Sequence, residues 1–574
     1  MANPNMGPLP EHGITEAFQS LYVKPARVGD DTGRQELPTN LPTIRSLEIE
    51  SHHALSTSPQ NIDPYDSPIY RLPSELLREI ISLLSDIDLI TTTHVCHHWR
   101  VVLLSAPTLW SHIDFSQLEK SKIYLERACN APIHITLNVK LDETILGLLR
   151  DRIAQIVSMD CSIYTLEPDW TIHSMPSMKE LNVTGYGEFF GTGVMENLER
   201  RVEMFPYLTS LGIMETIDGL RLRIPHLTHF RFSFHEVHYW NSKGGIHLLV
   251  DFFRSCPMLE VINVEYLDMP DELPQVYGSY VVHLPHLRSF TQTHEMDDTA
   301  YPAELLDQLS FPPTCSVILK LFLFGCKADD MRIHSLFPAP HFRETNFTDV
   351  QRIKIKVSDD SPTEGYQFRF VIELINTRGT RFSLDMLYSY EVRLESLGEP
   401  VYISDMKPIL REWVEEIGRR GSVETLCLED REDLGDFVNP TAISKINTLI
   451  LSDVAIPSWF LPSSMRPWDD RQRPGAVRTF IFHSRWLWPQ NMNAVEILTQ
   501  LARHQKMKGC PFEVLHSTFA NSWWSLPGEL GMISKCVGRL DILTGDNALD
   551  WKADKYFLSG LEHRQWFWTT PEYM

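Results

Sequence analysis

The chain has little of what membrane-bound, secreted or metal-dependent proteins need. No apolar run in its 574 residues approaches the ~18 that cross a bilayer, so no membrane span is expected. The opening Met1-Ala2-Asn3-Pro4 lacks the charged-then-apolar pattern of a secretory signal. The nine cysteines, Cys96, Cys129, Cys161, Cys256, Cys315, Cys326, Cys427, Cys510 and Cys536, are scattered and form no C-x-x-C pair. Reduced, mostly buried thiols of an intracellular protein, cytoplasmic or nuclear, are therefore expected. Positive charge is also short: 52 Lys and Arg stand against 75 Asp and Glu, for a formal charge of −23. That field repels phosphate backbones, which argues against nucleic-acid binding and mildly favours a basic partner during encounter. No P-loop, G-x-S-x-G or H-E-x-x-H motif occurs.

Apolar residues are plentiful, at 43% with 14 Trp, which is enough for a large core. They are unevenly spread. Residues 1–66 are rich in Pro, Ser, Thr, Asn and His without a sustained period, and read as a disordered arm. From about residue 130 a short strand pattern, Φ-x-x-Φ-x-Φ, recurs, often just after a proline. Copies are Met178/Leu181/Val183, Leu208/Leu211/Ile213, Leu227/Phe230/Phe232, Leu259/Ile262/Val264, Ile318/Leu321/Leu323, Val350/Ile353/Ile355, Val423/Leu426/Leu428, Ile446/Leu449/Leu451 and Val477/Phe480/Phe482. Leu287/Phe290 and Phe512/Leu515 are partial copies, and Leu384 marks a doubtful one.

Steps of roughly 19–32 residues between copies are a solenoid signature, though an irregular one. Some intervening segments have a helical period: Val194/Leu198/Val202/Phe205, Ile246/Leu249/Phe253 and Ile409/Trp413/Ile417. Pro206, Pro257 or Gly421 follows each. A helix–turn–short-strand unit cannot bury its apolar face alone, but a stack of them can. The strand pattern resembles the opening of the leucine-rich repeat, without that family's regular downstream Asn or Cys. The fold expected is α/β: an irregular leucine-rich-repeat-like solenoid over 116–574, capped at its end by Trp523, Trp524, Trp551, Trp566 and Trp568.

Residues 67–115 have a different rhythm. Leu72, Leu76, Ile80, Leu83 and Leu84 fall on one stripe of a helix that Pro73 opens and Glu75 favours electrostatically. Ser85 and Asp86 break it, and a second short helix starts at Ile87. A third is expected over Thr92–Leu104, with Val95, Trp99 and Val102 on one face and Pro107 ending it. Leu109, Trp110 and Ile113 follow as apolar anchors. Three short helices cannot hide this much apolar surface among themselves, so part must be covered by the adjoining repeats and part by a partner.

Four blocks stand in order here: Leu72-Pro73-Ser74-Glu75-Leu76, Ile81-Ser82-Leu83-Leu84, Val95-Cys96-His97-His98-Trp99-Arg100 and Pro107-Thr108-Leu109-Trp110. Together they closely resemble the F-box family. The resemblance implies a three-helix module docking the Skp adaptor of an SCF (cullin–RING) ubiquitin ligase, with the repeats holding a substrate protein and the ligase supplying the chemistry. By carry-over, Leu72, Pro73, Glu75, Leu76 and Ile80 are implied adaptor contacts, and Val95, Cys96 and Trp99 mixed contact and core. No enzyme activity, cofactor or metal is expected of the chain itself.

Three other groupings contain residues with chemical potential. Gly185-Tyr186-Gly187-Glu188-Phe189-Phe190-Gly191-Thr192-Gly193 sits where a dinucleotide loop would, but its spacing is one residue off and it reads as a loop within a repeat. His94, Cys96, His97 and His98 lack a second ligand cluster and read as surface residues. Asp268, Asp271 and Glu272 read as a solvated acidic loop.

Overall fold

The computed structural model describes residues 72–84, 86–138, 143–162, 175–184, 205–214, 223–233, 245–265, 281–296, 305–324, 333, 340–359, 366–390, 406–429, 434, 438, 442–452, 460, 477–484, 494–519 and 527–544. The expected N-terminal arm, the Gly185–Gly193 loop, the helix at Val194–Val202, the acidic loop at 268–272, Cys326 and the C-terminal tryptophans lie outside them.

Three short helices open the described chain: α1 (Ser74–Ser82), α2 (Asp86–Thr92) and α3 (His97–Leu104). A 3-10 turn over Pro107–Trp110 leads, through Ser111 alone, into strand β1 (His112–Asp114). Further strands follow: β2 (Ile133–Leu137), β3 (Ile156–Ser162), β4 (Glu180–Thr184), β5 (Ser210–Met214), β6 (His229–Ser233) and β7 (Val261–Glu265). After a small two-stranded sheet of β8 (Val282–His283) with β10 (Leu309–Ser310) come β9 (Ser289–Met296) and β11 (Ser316–Phe324). Then come β12 (Val350–Asp359), β13 (Tyr366–Asn376), β14 (Arg381–Tyr390) and β15–β19, at Thr425–Glu429, Thr448–Ser452, Thr479–Ser484, Val514–Phe519 and Arg539–Thr544.

Seventeen of these strands form one sheet. Each strand from β1 through β7, then β9 and β11, pairs in parallel with the next, and so do β12 and β15 through β19. Between the two runs lies an antiparallel meander: β14 joins β11 in parallel, and β13 pairs with both β14 and β12. The meander went unread in the sequence, where only Leu384 hinted at it.

The middle residue of each repeat stacks on the next. Leu181, Leu211, Phe230, Ile262 and Phe290 are in register across adjacent strands, as are Ile353, Leu426, Leu449, Phe480 and Leu515. All are buried. The ladder begins earlier than the sequence reading had it, with Ile113, Ile135 and Met159.

One copy is in the wrong register. Phe290 pairs with Val317, so the middle residue of this repeat is Val317 and not Leu321, four residues on; Val317, Leu319 and Leu321 are buried, and Ile318 only partly. The nine-residue strand Ser-Val-Ile-Leu-Lys-Leu-Phe-Leu-Phe repeats apolar residues along one face, at 317, 319, 321 and 323, so the template fits at more than one offset.

Proline explains the entry to several strands. In Met175-Pro176-Ser177-Met178, Phe205-Pro206-Tyr207-Leu208, Ile224-Pro225-His226-Leu227, Cys256-Pro257-Met258-Leu259 and Leu284-Pro285-His286-Leu287, the fourth N–H donates to the first carbonyl at 3.0–3.3 Å. Proline at the second position presets φ for that turn. One carbonyl before each strand then accepts from two successive N–H groups of the next repeat: Lys179 O from Thr209 and Ser210, Thr209 O from Thr228 and His229, Thr228 O from Glu260 and Val261.

Helices pack behind the strands. α4 (Leu118–Ala128) follows β1, and α5 (Glu143–Arg150) follows β2. α6 (Gly245–Ser255) buries Ile246, Leu249 and Phe253 as its period predicts. α7 (Pro340–Asn346) and α8 (Met406–Arg420) are joined by charge: buried Glu416 accepts from Arg420 Nε at 2.6 Å and lies 3.8 Å from Arg343. α9 (Ala494–Met507) and α10 (Pro527–Ser534) complete the described helices. α8 buries Ile409, Trp413 and Ile417, and its Gly418 lies so close to the next turn that a Cβ there would overlap the Ala442 carbonyl oxygen. Gly418→Ala is therefore expected to destabilise the fold by ~1–3 kcal/mol in urea unfolding, despite the ~1 kcal/mol that alanine adds to a helix.

Candidate functional site

α1 divides its apolar residues between two sides. Leu77 and Ile81 are each 1% exposed and face the core. Leu76 and Ile80 remain 47% and 48% exposed, Leu83 85%, and Leu84 is also exposed. The spacing i, i+4, i+7, i+8 puts these four on one ridge. Fully covering such a side chain stabilises by roughly 1.5–3 kcal/mol, which this ridge forgoes. Glu75 and Pro73 at the start of the helix are exposed, Leu72 is half-buried, and Leu77 N donates to Pro73 O at 3.0 Å.

α3 begins later than the sequence predicts. Thr92 Oγ1 and Thr93 Oγ1 donate back to the carbonyls of Asp88 and Ile90, at 2.5 and 2.7 Å. Residues 93–95 form a turn, and extended Cys96 caps the new helix by accepting Trp99 N at its Sγ, 3.5 Å away. Consecutive threonines whose hydroxyls bind the preceding turn end a helix. Val95 therefore sits in that turn, 60% exposed, rather than on a helical face with Trp99 and Val102. His94 and His98 accordingly do not share a helical face. Cys96 and Trp99 are half-buried. Val102 and Leu103 point inward, while Val101 and Leu104 are exposed and add to the apolar surface. The sequence reading missed these two because it placed the helix face from Val95.

The module is tied to the sheet at Trp110. Its Nε1–H donates to Leu103 O at 3.0 Å, its ring meets Tyr124 edge-on at 5.1 Å, and the Arg127 guanidinium lies 4.2 Å over it. Next to it, the His112 and His134 rings stack at 4.6 Å on adjacent strands. Burial, and then His112, hold the His134 imidazole below its ordinary 6.5, against the opposing pull of Glu180 and Asp160. The unfolded chain then binds the proton more readily than the folded one, so His134 costs stability as pH falls below about 6.5. Thermal melts between pH 7.5 and about 5.5 are expected to show a smaller acid-side drop for His134→Gln than for the wild type.

Burial pushes the thiols of Cys161 and Cys256 up, and that of Cys315 up to about 12, which removes thiolate character from all three. Among the described residues no group of three His, Cys, Asp or Glu side chains could hold a metal ion. Among them, too, no helix is long and apolar enough to cross a membrane.

This exposed apolar ridge stands on a module of three short helices. Residues 69–116 match the family model of the F-box-like domain. The chain thus carries an F-box-like domain over those residues. No curated protein matches it.

Proposed function

We propose that this protein is the substrate-recognition subunit of an SCF-type (cullin–RING) ubiquitin ligase. The F-box over 67–115 docks a Skp-type adaptor, and the region over 116–574, taken as an irregular leucine-rich-repeat-like solenoid, holds the target protein. The uncovered ridge of Leu76, Ile80, Leu83 and Leu84 within an F-box-like module is the observation that carries this reading. Leu72, Pro73, Glu75, Leu76, Ile80, Val95, Cys96 and Trp99 are the proposed adaptor contacts, and the exposed Leu83, Leu84, Val101 and Leu104 extend that surface. One-strand repeats in parallel register, entered through matching proline turns, support the solenoid.

Affinity purification with mass spectrometry tests the proposal. Wild type is expected to bring down adaptor, cullin and substrates together, and Leu76→Asp/Ile80→Asp to bring down substrates alone. Adaptor without cullin would instead favour a scaffold working outside a ligase.

A further inference from the structure

The sheet has a second face, opposite the core, and it is not uniformly covered. From β12 to β18 it is closed: Lys354, Cys427, Ile450, Ile481 and His516, in register across those strands, are all buried. Lys354 and Glu429 form a buried ion pair there at 3.2 Å. From β3 to β7 the same face is less covered. Its central row, in register across five strands, is Asp160, which is exposed, Asn182, Arg231 and Asn263, which are half-buried, and Gly212, which is buried. Parallel sheets ordinarily bury both faces, and stacked repeats leave one open where they bind.

This less covered stretch is polar, and its charge is unbalanced. Arg231 is neutralised by Glu265 at 3.2 Å. Asp160 and Glu180, both exposed, have no Lys or Arg partner among the described residues, and the nearby His134 imidazole that feels both is held toward its neutral form. The Asn182 amide donates to Asp160 Oδ1 at 2.6 Å and reaches Glu180 Oε1 at 3.4 Å, holding the two carboxylates beside each other. Gly212 makes this arrangement possible, because a Cβ there would overlap Asn182 Oδ1.

We infer that the β3–β7 face is the target-docking surface and that it takes an extended protein segment placing a Lys or Arg between Asp160 and Glu180. This rests on the proposed reading of the repeat region as the target-binding part. Five strands at ~4.8 Å spacing span ~20 Å, the length of about six extended residues. The overall charge of −23 draws such a segment in, and the unpaired carboxylates set its register.

The test uses the full chain and a fluorescein-labelled ten-residue peptide of alternating Lys and Ser, with a Glu–Ser peptide as its counterpart. Binding is read by anisotropy at about 0.15 M salt. Wild type is expected to prefer the Lys peptide, and Asp160→Asn/Glu180→Gln to lose at least ~10-fold in affinity. Glu119→Gln/Glu126→Gln, which removes the same charge from exposed positions of α4, is expected to bind as wild type. Asp160→Lys/Glu180→Lys is expected to prefer the Glu peptide. Equal losses in both neutralised variants, an unchanged Asp160→Asn/Glu180→Gln, or no binding by wild type overturns the inference. Adaptor capture by the same preparations shows whether the ligase reading stands regardless.

Discussion

Leu76→Asp combined with Ile80→Asp is expected to abolish capture of a Skp-type adaptor while leaving the thermal midpoint of the chain nearly unchanged. Both side chains are about half exposed, and substitutions at such positions away from special features usually change stability by about 0.5 kcal/mol or less. At a covered interface the same carboxylates lose their water without gaining a partner, at ~3 kcal/mol or more each. With ~1.4 kcal/mol per tenfold, affinity falls by at least ~100-fold even if only one is fully covered. Leu77→Asp is the contrasting control. Leu77 is buried one position along, so that variant unfolds α1 itself. A double variant that still captures adaptor with wild-type affinity would remove the docking claim.

Trp110→Ala is expected to give the second large effect, of ~3–5 kcal/mol, from loss of a fully buried aromatic. It removes the bond to Leu103 O, the edge contact with Tyr124 and the ring under Arg127 in one step. Hydrogen exchange should rise in α3 and in β1, on either side of the lost ring, well before β15–β17 are affected. Trp110→Phe keeps most of the packing and loses the donor, so about 1 kcal/mol is expected there. Equal exchange rates in wild type and Trp110→Ala would show that α3 is held to the sheet by something else.

What the sequence made legible follows from how strongly one face was specified. α1, α6 and α8 were readable because their apolar residues recur at helical spacing, with Pro73 just before α1 and Pro257 and Gly421 just after α6 and α8. The ladder from Leu181 to Phe290 was readable because apolar residues alternate with polar ones. Where apolar residues run on along one face, the register failed: in β11 the template fits at Leu321 as well as at Val317. The start of α3 was misplaced because threonine hydroxyls bonding to carbonyls leave no mark on apolar spacing. The meander could have been found, since Phe368, Phe370, Ile372 and Leu374 alternate along β13, a strand signal outside the repeat template. On the exposed apolar surface, Leu76 and Ile80 were legible from helical spacing, but Val101 and Leu104 depended on the phase of α3.

The passage from Trp110 through Ser111 into β1 leaves no flexible tether between the three short helices and the sheet, and β1 is itself hydrogen-bonded to β2. A flexible connector would let a bound cargo sample many positions about the adaptor. Here the connection is fixed by backbone hydrogen bonds, so, on the proposed function, lengthening it by a few residues at Ser111 would re-aim a target held by the sheet without altering the proposed adaptor contacts.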